Sequence, residues 1–216
     1  MTFPAAPRLT ATDLACRRGS RELFKGLAFD VTPGQLIWIR GHNGRGKTSL
    51  LRLLAGLAPP ERGRLLRDDH PLRGSASHAH ELVFIGHHNA LKDDLDATEA
   101  LRFLLRIHGR PSDAATAQRA LDRLGMASRR RAPVRTLSQG QRRRVALARL
   151  AVDVAGATPT LWLLDEPFDA LDVDGVRGVD ELLAEQLRRG GSVLLSSHLP
   201  VNPALGAIEI DLDAHG

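Results

Sequence analysis

Nine residues, Gly41-His42-Asn43-Gly44-Arg45-Gly46-Lys47-Thr48-Ser49, constrain this chain more than any other stretch. They follow the apolar run Leu36-Ile37-Trp38-Ile39 and lead into Leu50-Leu51-Arg52-Leu53-Leu54. Strand, glycine-rich turn and helix in that order fit G-x-x-x-x-G-K-[ST], the phosphate-binding loop. The glycines let backbone N–H groups converge on one point, where a Cβ would crowd a phosphate oxygen. The helix that opens at Lys47 adds its positive N-terminal end. On this reading Lys47 reaches the β- and γ-phosphates of a nucleotide, and the Thr48 hydroxyl takes one position on a magnesium ion.

Its 216 residues suffice for one sizeable domain, or one domain with an inserted lobe. No apolar run approaches the ~20 residues of a membrane-spanning helix. The start, Met1-Thr2-Phe3-Pro4, is not expected to act as a secretory signal, because no basic region precedes an apolar core. The one cysteine, Cys16, rules out an internal disulfide and suits a reducing compartment; it reads as a buried strand residue. A net charge of +5 favours acidic partners, such as nucleotides, nucleic acid or an anionic membrane surface, without choosing among them. The chain has no tyrosine, so a base-stacking surface for single strands is poorly supplied.

Along the chain, Leu9–Cys16, Leu27–Val31 and Gln35–Arg40 read as strands separated by turn residues. The helix after the loop stops near Gly56, and Pro59-Pro60 forbids its continuation. Gly63–Arg67 and Leu82–Ile85 are expected strands, joined by a polar connection over Asp68–His80. From Thr98 the period becomes helical: one helix ends at Gly109-Arg110-Pro111, a second has Ser112 as N-cap, and a third begins at Ser138. Strands then resume at Leu161–Leu164, Ser192–Ser196 and Ile208–Leu212, with a helix through Val176–Leu187 between the first two.

Two further stretches carry chemistry. Leu161–Leu164 runs straight into Asp165-Glu166, and a buried strand does not carry adjacent acids without a charge partner. Asp165 is placed to hold magnesium, directly or through water, and Glu166 to polarise the water that attacks the γ-phosphate. Leu137-Ser138-Gln139-Gly140-Gln141 opens the third helix; Ser138 and Gln141 form a capping-box pattern, a purely structural reading. The same hydroxyl and glycine at a helix N-terminus also make an anion site, which suggests contact with another subunit's nucleotide.

Taken together these residues resemble the ABC-type ATPase subunits over nearly the full length. To the phosphate loop, the LSGGQ-like Leu137–Gln141 and the acidic strand end, the chain adds Ala170-Leu171-Asp172 and His198, after a strand. The resemblance implies an α/β fold: a P-loop, RecA-like core with an N-terminal antiparallel β subdomain and an inserted α-helical subdomain. One ATPase domain would span 1–216, with 1–87 and 151–216 as core and 88–150 as the helical signature lobe. It implies ATP and Mg2+ as cofactors and a head-to-tail homodimer with two ATP molecules between the chains. Each ATP would lie between Gly41–Ser49 of one chain and Ser138, Gly140 and Gln141 of the other. His198 would contact the γ-phosphate, and Asp172 would tie the two sites together.

Two positions depart from the family pattern. After Val83-Phe84-Ile85-Gly86, where the family presents Gln, stands His87, and the adenine-stacking aromatic expected near position 18 is replaced by Arg17 and Arg18. A guanidinium plane can also stack on adenine. The run Ile85–Lys92, with Gln139–Leu150 and Leu161–Phe168, is similar to the haem-exporter branch that serves cytochrome c biogenesis; an expected short C-terminus, without a regulatory domain, agrees. That branch implies separate integral-membrane permease subunits and a peripheral place on the cytoplasmic face of the inner membrane. Its work would be to drive release of a haem-loaded chaperone, with no nucleic acid as partner.

The alternatives are an ABC-type subunit for another substrate, a soluble ABC ATPase acting on nucleic acid or ribosomes, and a P-loop kinase. The soluble class usually carries a coiled-coil insertion or two fused units, for which this chain has no room. A kinase has no need of Leu137–Gln141. The clusters Arg129-Arg130-Arg131 and Arg142-Arg143-Arg144 read as solvated surface, and His78, His80, His87 and His88 as a loop cluster rather than haem ligands.

Overall fold

A computed structural model describes residues 8–72, 82–154 and 160–216. They fall into two compact units, one drawn from Met1–Gly86, Thr158–Glu166 and Gln186–Gly216 and the other from His87–Ala157 and Pro167–Glu185. His78, His80 and most of the connection before Leu82 lie outside the described residues.

The first unit holds two sheets. Strands β1 (Leu9–Arg18), β2 (Arg21–Val31), β4 (Arg62–Arg67) and β5 (His70–Pro71) form an antiparallel sheet in the order β2-β1-β4-β5. Strands β3 (Leu36–Arg40), β6 (Leu82–Ile85), β7 (Leu161–Asp165), β8 (Ser192–Ser196) and β9 (Ile208–Asp211) form a parallel sheet in the order β6-β7-β8-β3-β9. All five residues of β7 and of β8 are buried, as the near-continuous apolar runs of a covered parallel sheet require. β1 and β2 run longer than their apolar patterns, because the hairpin ladder continues through Arg18↔Arg21 with shifts of register between Leu14 and Arg17 that break the alternation. Helix α1 (Lys47–Leu54) lies in the core between the sheets: Leu50, Leu51 and Leu54 are fully buried, each contributing about 1.5–3 kcal/mol of burial. Cys16 is buried in β1, and that burial pushes its thiol pKa up.

Parallel strands end on one edge of their sheet, so the turns after β3, β7 and β8 share that edge. This is where open α/β sheets bind ligands. It carries Gly41–Ser49, Glu166 and His198.

The second unit is helical. Helix α2 (Ala97–Ile107) opens with a capping box: the Asp96 side chain accepts from the Glu99 N–H at 2.8 Å, and Glu99 accepts from the Asp96 N–H at 3.0 Å. Helix α3 (Ala114–Arg123) is capped by Asp113 rather than by Ser112: the Asp113 carboxylate takes the Thr116 N–H at 2.8 Å, while the Ser112 carbonyl accepts from Arg102. A carboxylate is at least as good an N-cap as a hydroxyl and stood one residue nearer the helix. Helix α4 (Gln139–Val154) buries Val145, Leu147, Ala148 and Leu150. Most of helix α5 (Val173–Arg188) also belongs to this unit. Among the described residues no helix is long and apolar enough to cross a membrane.

Candidate functional site

At the N-terminus of α1 the cap residue Gly46 lies at φ 102°, and no side chain caps the helix. Only glycine suits this point on two counts. The left-handed backbone disfavours a side chain, and an added Cβ would sit 3.1 Å from the Leu23 Cβ and the Phe24 ring. The loop is therefore pressed against β2 while its first amides remain uncapped by side chains. A site of this kind suits phosphate oxygens.

Lys47 is buried, and its Nζ donates to the Gly41 carbonyl at 2.8 Å, which curls the loop beneath the ammonium. Nζ also lies 3.4 Å from His198 Nε2. The Thr48 hydroxyl donates to Asp165 Oδ2 at 2.8 Å, and the Ser196 hydroxyl donates to Asp165 Oδ1 at 2.8 Å. Thr48 and Asp165 are 117 residues apart, so the parallel sheet joins the phosphate loop to the acidic strand end. Two hard oxygens at this separation fit one edge of a magnesium octahedron, about 2.9 Å for ligands at 2.0–2.1 Å.

Glu166 sits at φ 49°, an uncommon place for a residue with a side chain. Its N–H donates to both the carbonyl and the hydroxyl of Ser196, each at 3.1 Å, and these bonds hold the strained backbone. Its carboxylate accepts the His198 N–H at 3.0 Å and stands 3.3 Å from the His198 ring. Lys47, Thr48, Asp165, Glu166 and His198 thus form one connected group. Ser196, which positions both acids, was not singled out by sequence; its place at the end of β8, two residues before His198, was the available signal.

His42 and Arg45 turn to a residue that the motif does not contain. Asp213 accepts from the His42 N–H at 3.1 Å and from Arg45 Nε at 2.8 Å, and the His42 ring Nδ1 lies 2.6 Å away. The Arg45 hydrogen bond, with that of His42, holds the Asp213 carboxyl below the ordinary carboxylate range. Near the loop, Arg17 is engaged by Glu61 at 3.0 Å, and Arg18 is exposed.

In the second unit, Ser138 and Gln141 make the reciprocal capping box: the Gln141 N–H donates to Ser138 Oγ at 3.2 Å, and the Ser138 N–H to Gln141 Oε1 at 3.0 Å. Gly140 has a packing reason, since a Cβ there would run into the Ala170 carbonyl oxygen. Ala170 itself adopts φ 59°. Asp172 accepts the Gly175 N–H at 2.8 Å and pairs with Arg144; the Gly175 bond leads in holding its carboxyl below the usual value. Ser138, Gly140, Gln141, Arg144, Ala170 and Asp172 line one polar cleft of about 600 Å³.

The arginines of α4 are not the solvated surface their sequence suggested. Arg142 pairs with Asp93 at 3.2 Å, Arg143 is 3% exposed and donates to Asn89, and Arg144 holds Asp172. Helical periodicity turns three consecutive arginines toward three different neighbours. His87 is exposed on the turn after β6, edge-on to His88 with ring centroids 5.7 Å apart.

The family model for the ABC transporter matches residues 24–169, from β2 through both site motifs. The chain belongs to the ABC transporter family. Within it, the chain stands with the cytochrome c biogenesis ATP-binding export proteins CcmA. It is 44% identical to that of Aromatoleum aromaticum over 209 residues, 96% of each chain, and 45% identical to that of Pseudomonas syringae pv. syringae over 214 residues, 97% of each. A solved dimeric ATP-binding cassette in a post-hydrolysis state, bound to ADP and phosphate, shares the fold with a TM-score of 0.76 at 20% identity, over 94% of each chain.

Proposed function

We propose that this chain is the ATP-hydrolysing subunit of a membrane ABC complex for haem export in c-type cytochrome biogenesis, where it drives release of a haem-loaded chaperone. The observation that carries the ATPase reading is the connected group of Lys47, Thr48, Asp165, Glu166 and His198 at the carboxyl edge of the parallel sheet. Support for haem export comes from the relatives, named as cytochrome c biogenesis ATP-binding export proteins.

The residues divide the work. Gly41, His42, Asn43, Gly44, Arg45 and Gly46 shape the loop, and the amides at the start of α1 together with Lys47 bind the β- and γ-phosphates. Ser49 closes the nucleotide-binding loop, and Thr48 and Asp165 would hold Mg2+, which when bound neutralises charge on the phosphate oxygens. Glu166, kept in line by its strained backbone and by His198, orients the attacking water and draws its proton. His198 stands 3.4 Å from Lys47 Nζ, within reach of the γ-phosphate that Lys47 binds.

The reading is completed by a second copy of the chain. Ser138, Gly140 and Gln141 of one subunit face the nucleotide of the other, and Asp172 links the two sites. Both units belong to one ATPase domain. The subunit is held peripherally at the cytoplasmic face of the inner membrane by separate integral-membrane permeases, and His87 couples nucleotide state to them. Purification from solubilised membranes should bring those permeases with it. A chain that co-purifies with ribosomes or nucleic acid, and whose loss leaves c-type cytochromes intact, would overturn the haem-export reading. His87→Ala should still hydrolyse ATP yet lose holocytochrome c maturation, read by haem stain.

A further inference from the structure

The C-terminal turn is built into the phosphate loop. The last strand, β9, leads into the short 3-10 turn Leu212–His215, whose Leu212 is fully buried. A Cβ on Gly41 would come within 3.3 Å of the Leu212 Cβ and 3.7 Å of the Asp213 N, so the loop begins directly against this turn. Asp213 is fixed from behind, its own N–H donating to Asp211 Oδ1 at 2.9 Å. Its carboxylate then receives the backbone and ring of His42 and the guanidinium of Arg45. One anion therefore grips the loop at its second and fifth residues, across 171 and 168 positions of sequence. Asp213 also borders, with His42, Asn43 and His198, an open cleft of about 480 Å³.

A phosphate loop collects backbone dipoles pointing one way, an arrangement whose amides repel one another until an anion arrives. Something must hold the curve beforehand if binding is not to bear that cost. Lys47 does so inside the curve through the Gly41 carbonyl. On the outside, two of the four residues between Gly41 and Gly46, His42 and Arg45, are tied to Asp213. Ionised carboxylate is acceptor-only, with room for several donors at once, so it suits this role better than an amide.

We propose that Asp213 is a positioning residue for nucleotide binding: it clamps His42 and Arg45 so that Gly41–Ser49 is already curved when the triphosphate arrives. Arg45 is thereby an internal strut rather than a phosphate contact. The proposal rests on nucleotide binding at Gly41–Ser49 and adds to it an element from the turn after β9.

The test uses the full-length chain, a fluorescent ATP analogue with Mg2+ as probe, and steady-state hydrolysis. Asp213→Ala should weaken binding about tenfold, the scale of one lost charge-assisted hydrogen bond, and raise KM in step, while kcat falls no more than about threefold. Asp213→Asn, nearly isosteric, should still weaken binding several-fold, because its NH2 group opposes one of the donors. Arg45→Ala combined with Asp213→Asn should bind no worse than the weaker single variant, because both break one contact. Parent-like affinity in Asp213→Asn, strictly additive losses, or a lowered melting temperature with unchanged affinity would each overturn the clamp. Lys47→Ala serves as control: if it too binds the analogue as the parent does, the reading of the loop itself fails, separately from the clamp.

Discussion

Two helix N-termini in this protein carry glycine and a hydroxyl, and they are finished in opposite ways. At α1 the cap is a left-handed Gly46 and no side chain caps the helix. At α4 Ser138 and Gln141 close on each other, taking up two donors locally. The first end leaves its amides free of side-chain caps and is braced by Lys47 inside the curve and by Asp213 outside it. At the second, two donors are taken up within the chain before any partner arrives, and its Gly140 lies against the Ala170 carbonyl. A glycine at a helix start can thus be required by a neighbouring turn as well as by a ligand.

The strongest way to break this comparison is to separate binding from chemistry at the first end. Glu166→Gln should keep ATP affinity within a few-fold and lower hydrolysis roughly a thousandfold, since the phosphate cradle is intact and the water loses its base. Hydrolysis within a few-fold of the parent would remove Glu166 from that role.

The second end is probed by Ser138→Arg, which should lower hydrolysis roughly a hundredfold while leaving the affinity of the isolated chain for ATP close to the parent's. Mixed with Lys47→Ala chains, it should regain activity, because one composite site of the mixed dimer is then intact. Activity independent of protein concentration and unrestored by mixing would show that the capping box is structural only.

The glycines sharpen the contrast with smaller effects. Gly46→Ala places a side chain at φ 102° against Leu23 and Phe24 and should weaken nucleotide binding about tenfold as well as lower stability. Gly140→Ala should cost about 1–3 kcal/mol through the Ala170 clash, a loss of several degrees in Tm, with affinity for ATP unchanged. Equal effects of both on ATP affinity would erase the distinction. Smallest of all, Cys16 should react with a thiol reagent much more slowly in the native chain than in denaturant, because burial raises its pKa and removes thiolate. Fast native labelling would place β1 outside the core.

Much of the site was legible because its signals are local. Gly41–Ser49 announces itself through glycine spacing between an apolar strand and an apolar helix, and Asp165-Glu166 through acids ending a buried run. The strand and helix order followed from period and turn residues, with errors where caps competed, as Asp113 did with Ser112, or where shifts of register along the hairpin broke the alternation over Arg21–Gly26. The arginines of α4 misled for a related reason: charge alone reads as surface, whereas Arg143 is buried against Asn89.

By itself the sequence determined the pieces whose physics acts within a few residues: the φ > 0 positions that glycine fills, the helix that begins at Lys47, and the Ser138–Gln141 cap. Tertiary structure alone decided which distant groups meet. Thr48 reaches Asp165, Ser196 steadies Asp165 and Glu166, and Asp213 braces His42 and Arg45, because a parallel sheet brings chain segments 30 to 171 residues apart to one edge. Hydrogen bonds between such groups depend on register and packing of the whole sheet, and no local pattern of residues records them.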